Sequence, residues 1–113
     1  MDADTYQQHA ARTLTETPGI TFDDANGMLL WNALGLAGEA GEIADYVKKG
    51  LFHHHGIDRE VLLDEIGDCL WYLAALCTGA DASLSDVMAR IVANLQRRYP
   101  EGFSAEASRG RTP

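Results

Sequence analysis

With 113 residues and 46% hydrophobic side chains, the chain is long enough for one modest core and too short for two. Its apolar content and only three prolines exclude a disordered polymer. A formal charge of −8 argues against nonspecific binding to nucleic acid backbones or anionic membranes, yet leaves room for an anionic substrate wherever a bound cation inverts the local charge.

No apolar run reaches the ~20 residues that span a bilayer. The opening "MDADTYQQHA" lacks the basic and apolar regions of a signal peptide. Cys69 and Cys77 stand eight apart in one apolar segment, roughly 12 Å along a helix and too far for a disulfide. Buried free thiols favour the cytoplasm.

The first helix is expected over 3–16, with Tyr6, Ala10, Ala11 and Leu14 at helical spacing. "TPGITFDDANG" breaks it at Pro18 and Gly19. A second helix runs from about Asp24 to Lys49, with lysines in its last turn and Gly50 as a C-cap. "LFHHHGID" is a loop, and its three histidines read as solvated, because consecutive loop residues converge poorly on one ion.

Asp58 caps a third helix that continues to about Thr78 and stops at Gly79. Ser83 with Asp86 opens the fourth, "LSDVMARIVANLQRRY", which Pro100 ends. The tail "EGFSAEASRGRTP" is polar and expected to be irregular, and no strand pattern appears. The reading is one all-α domain over 1–113, an antiparallel four-helix bundle with its core in 24–100 and a tail over 101–113.

Helix two turns Leu29, Leu36, Ala40, Ile43 and Val47 inward; helix three turns in Leu62, Ile66, Cys69, Leu70, Leu73 and Leu76. Leu30, Trp31, Leu34 and Trp71 fall off these stripes. That surplus of apolar surface points to a partner subunit, a homodimer or homotetramer.

Two segments align without gaps: "GEAGEIADY" (38–46) over "DEIGDCLWY" (64–72), at a constant offset of 26 residues. Each carries acid, glycine, acid and tyrosine: Glu39, Gly41, Glu42, Tyr46, then Glu65, Gly67, Asp68, Tyr72. At ~100° per residue the acids and tyrosine of each helix share one edge, bordering the apolar stripe. Glycine costs about 1 kcal/mol inside a helix, so its recurrence suggests close backbone approach. Acids three apart often decorate solvated faces. Here two such pairs lie on successive helices, and four converging carboxylates repel unless protonated or bound to metal. Hard cations such as Mg²⁺ or Mn²⁺ take this oxygen-rich set.

"GLAGEAGEIADYVKKG", "LLDEIGDCLWYLAAL" and "LQRRYPEGF" together resemble the MazG-like nucleotide pyrophosphohydrolases of the all-α NTP pyrophosphatase group, over roughly residues 28–104. The family pattern E-x-x-E, spacer, E-x-x-D is met by Glu39-x-x-Glu42, 22 residues, and Glu65-x-x-Asp68. The resemblance implies hydrolysis of a nucleoside or deoxynucleoside triphosphate between the α and β phosphates, with Mg²⁺ held by Glu39, Glu42, Glu65 and Asp68. It also implies an aromatic, Tyr72, against the nucleotide. Lys49, on the edge of Glu42, and Arg97, Arg98 and Asn94 on helix four are candidate substrate contacts. One departure stands out: relatives often carry asparagine and lysine where this chain has Ile91 and Asn94.

Two other classes compete with this reading. A di-metal carboxylate oxidase wants Glu-x-x-His on two helices, and no glutamate here has a histidine three residues on. A helical dimer that binds nucleotide or a protein without cleaving remains the alternative. Neither cysteine has a basic neighbour on its helix face, and no G-x-x-x-x-G-K-[ST] loop occurs, so phosphate binding must be metal-led.

Overall fold

The computed structural model describes residues 1–14, 24–53 and 56–110. Its elements are α1 (Ala3–Ala11), α2 (Asp24–Phe52), α3 (Arg59–Gly79), α4 (Leu84–Arg98) and a short α5 (Ala105–Arg109). The architecture is all-α, as the periodicity implies. The first helix, expected to reach residue 16, ends at Ala11, where Arg12, Thr13 and Leu14 turn off it through amides donated to His9, Ala10 and Ala11. The turn at Pro18–Gly19 and His54 and His55 lie outside the described residues. No described helix is long and apolar enough to cross a membrane.

Caps set most boundaries. Asp2 accepts from the Thr5 amide at 2.8 Å, Asp58 from Glu60 at 2.9 Å, and Ser83 from Asp86 at 3.0 Å. Each satisfies a first-turn donor that the helix itself cannot. The expected tail is not wholly irregular, since Ala105–Arg109 closes one helical turn through Ser108 N–H to Ser104 and Gly110 N–H to Glu106.

Two expected C-caps are corrected. Helix α2 runs past Gly50 to Phe52, and Gly50 serves close approach instead. The Gly56 amide donates to the Gly50 carbonyl at 3.0 Å, and a Cβ on Gly50 would meet the Gly56 carbonyl oxygen at 2.7 Å. The loop thus folds back onto the last turn of α2. At the end of α3 the left-handed position is taken by Asp81 (φ 56), not Gly79. Asp81 N–H donates to Thr78 and Ala82 N–H to Cys77, the paired bonds of a Schellman ending.

Helices α2 and α3 are antiparallel: Leu29 lies against Gly79, Gly35 against Tyr72, and Gly50 against Ile57. Helix α1 packs on α3 and on α4. The tightest packing is Ala10, Ala74 and Leu84, with Tyr6, Trp71 and Cys77 against them. Trp71 is therefore part of this core and not surplus surface; its indole N–H donates to Thr13 Oγ1 at 2.7 Å.

Conversely, Ile66, Leu70 and Leu73, expected inside, are 40–47% exposed, and Ala40 is exposed too. The cause is that α4 rests mainly on α1, so no described helix covers this side of α3. Met88, Ile91 and Leu95 of α4 are likewise exposed, as are Leu30, Trp31 and Leu34 of α2. A Cα radius of gyration of 17.3 Å, against about 13 Å for a compact 100-residue domain, describes splayed helices.

Candidate metal centre

The register of α2 on α3 creates the site. Near the loop, Tyr46 Oη accepts from the Asp58 amide at 2.7 Å, tying α2 to the first turn of α3. About three turns away along α2, the Tyr72 ring occupies the space that any side chain at Gly35 would need. Trp71 meets Tyr72 edge-on, with centroids 4.9 Å apart, which fixes the plane of the ring. The aligned tyrosines thus do different work, one anchoring the loop and the other lying across α2.

Between these two ties the acids converge. One carboxylate oxygen from each of Glu39, Glu42 and Glu65 lies within 4.8 Å of the others. Asp68 stands outside this trio, but its charge acts on both Glu39 and Glu65. Glu39 and Glu65 are half-buried, Glu42 and Asp68 exposed. Gly41 and Gly67 do not serve close approach: a Cβ at either would meet nothing within 4 Å. The approach occurs at Gly35.

Electrostatics follow from this crowding. Desolvation, then the charge of Glu42, raises the Glu39 carboxyl above its ordinary range, with Asp68 and Glu65 adding to it. Desolvation and the charges of Glu42 and Asp68 raise Glu65 in the same direction. Glu39 Oε2 and Glu65 Oε2 are buried and accept no hydrogen bond among the described residues. Two orphaned carboxylate oxygens, beside a third acid and short of positive charge, fit a hard divalent cation. Desolvation and the same acids push the Cys69 thiol up, so it is no nucleophile.

The other candidates are not gathered here. Lys49 Nζ pairs with Asp45 at 2.8 Å, and the ammonium holds the Asp45 carboxyl below its usual range. Asn94, Arg97 and Arg98 sit late on α4, and among the described residues no hydrogen bond or ion pair joins them to the acids. Arg98 Nε is buried without a partner.

One residue escaped the sequence reading. Asn32 is 2% exposed, and its Oδ1 has no hydrogen-bond partner among the described residues. The signal was present: Leu29, Asn32, Leu36 and Glu39 follow the helical three-and-four spacing, which sets an amide in an apolar stripe.

An all-α chain whose two antiparallel helices converge E-x-x-E on E-x-x-D is a carboxylate-cluster protein. The chain belongs to the MazG nucleotide pyrophosphohydrolase domain family, whose model matches residues 29–103. It is 40% identical over 106 residues to the Gene 37 protein of Mycobacterium phage L5, covering 90% of this chain and 92% of that one. No solved structure matches it.

Proposed function

We propose that this chain hydrolyses nucleoside or deoxynucleoside triphosphates between the α and β phosphates, with Mg²⁺, or Mn²⁺ in its place, held by Glu39, Glu42, Glu65 and Asp68. The observation that carries this reading is the trio of carboxylate oxygens within 4.8 Å, two of its acids bearing a buried oxygen without a partner. When bound, the cation supplies charge neutralisation for the triphosphate and a lowered pKa for the attacking water. A carboxylate oxygen of the cluster not used in binding takes the water's proton as the α-phosphorus is attacked and pyrophosphate leaves.

Tyr72, its plane set by Trp71 and Gly35, offers a flat wall for the base. Lys49 reaches a phosphate by exchanging Asp45 for it. Asn94, Arg97 and Arg98 approach from a second copy, in a homodimer or homotetramer whose contact covers the bare sides of α3 and α4. Two observations support this assembly: the exposed apolar rows on those helices and the unpartnered Arg98 Nε. The working compartment is the cytoplasm, and the chain acts there on free nucleotides.

Pyrophosphate release is measured over a panel of NTPs and dNTPs with Mg²⁺ and with chelator. The expected result is metal-dependent release from at least one nucleotide. In Glu39→Gln, kcat/KM falls roughly 100-fold or more, the scale of losing one fixed electrostatic stabiliser. Binding of nucleotide without any release, in wild type saturated with Mg²⁺, would favour the non-catalytic dimer.

A further inference from the structure

We infer that Asn32 is a nucleoside-recognition residue, whose Oδ1 accepts a hydrogen bond from an N–H on the edge of the nucleobase. The inference deepens the pyrophosphohydrolase reading and rests on it for the position of the phosphates.

Position comes first. Asn32 lies on α2 between the level of Leu29, which meets Gly79, and that of Gly35, which meets Tyr72, so it belongs to the edge facing α3. Seven residues separate it from Glu39, which is two turns, about 10 Å of rise and about 20° of rotation. Along one helical edge the order is therefore amide, aromatic ring, carboxylates. A nucleotide has the matching order of base edge, base face and phosphates. With its phosphates at the carboxylates and its base stacked on Tyr72, its base edge comes level with Asn32.

Chemistry decides the contact. Asn32 Oδ1 is an acceptor, buried and without a partner among the described residues, and such groups are rare unless a ligand or an ordered water completes them. It stands too far from the carboxylates to share their cation. Every nucleobase carries an amino or imino N–H, so each offers the donor that this oxygen needs.

The test uses wild type, Asn32→Leu and Asn32→Ala in the full chain. Three quantities are read: KM for the preferred dNTP, the inhibition constant of inorganic tripolyphosphate with Mg²⁺, and the thermal midpoint. The expected result for Asn32→Leu is a KM raised about tenfold or more, an inhibition constant within about twofold, and a midpoint unchanged or higher. Tripolyphosphate has no nucleoside, so only a base contact separates the two ligands. A KM within about twofold of wild type overturns the inference. So does a parallel weakening of both ligands with a lowered midpoint, the signature of lost packing. If the leucine variant fails to fold, the alanine variant is judged by the same criteria. If wild type releases no pyrophosphate at all, the hydrolase reading fails separately, and calorimetry with a non-hydrolysable dNTP analogue decides Asn32. Tenfold weaker binding in the variant then supports it, and equal binding overturns it.

Discussion

Two polar clusters in this chain are finished differently. Where α1 crosses the α3–α4 turn, the Gln7 amide donates to Thr78 Oγ1 at 3.2 Å and to the Ala82 carbonyl at 2.9 Å, and accepts from the Leu84 amide at 2.7 Å. Both amide N–H donors and the amide oxygen are engaged. On the α2–α3 edge, Asn32 Oδ1, Glu39 Oε2 and Glu65 Oε2 have no partner, and the carboxylates repel one another. A cluster whose bonds close within the chain holds the fold together. A cluster left open costs stability and has its partners elsewhere.

The largest expected effect is at the open cluster. Glu65→Gln removes one repelling charge, so it should raise the thermal midpoint of the metal-free protein while lowering turnover roughly 100-fold or more. Scanning calorimetry in chelator, paired with pyrophosphate release, checks both signs. A variant that loses activity and stability together would erase the distinction between the clusters.

At the closed cluster the effect is on stability alone. Gln7→Leu strips three bonds and leaves the Leu84 amide at the start of α4 without its acceptor. It should lower stability by about 2 kcal/mol, a midpoint shift of roughly 5–10 °C for a chain of this size. Mg²⁺ affinity should stay as in wild type. The smallest effect is at Asp2, whose carboxyl is held below its usual range by the Thr5 amide. A depressed folded-state value means that the cap stabilises above the ordinary carboxylate pKa and is lost as pH falls through the lower folded value. Asp2→Asn, which caps without titrating, should flatten that acid limb of the stability–pH curve.

The sequence made the carboxylates and the caps legible, for a common reason. Glu39 with Glu42 and Glu65 with Asp68, like Asp58 and Ser83 at their helix starts, are read from spacings of two to three residues along one helix, which are local. The meeting of Glu39, Glu42 and Glu65, by contrast, depends on the α2–α3 register. The faces of α3 were not legible in the same way. Periodicity showed that Ile66, Leu70 and Leu73 form a row, but not which helix covers it, and α4 lies on α1 instead. Trp71 was misplaced for the same reason, because its partner Thr13 lies 58 residues away. The glycines divide similarly. Gly41 and Gly67 drew notice by repetition and face open space, whereas Gly35 and Gly50 are needed for contacts that only the α2–α3 register defines.

The central claim is that the open carboxylates are completed by a divalent cation. Calorimetric titration of Mg²⁺ into metal-free wild type and Glu65→Gln tests it most directly. The account predicts saturable binding to wild type, with a raised thermal midpoint, and binding at least about tenfold weaker in the variant. Equal affinity in the two proteins, or no saturable binding to wild type, would contradict it.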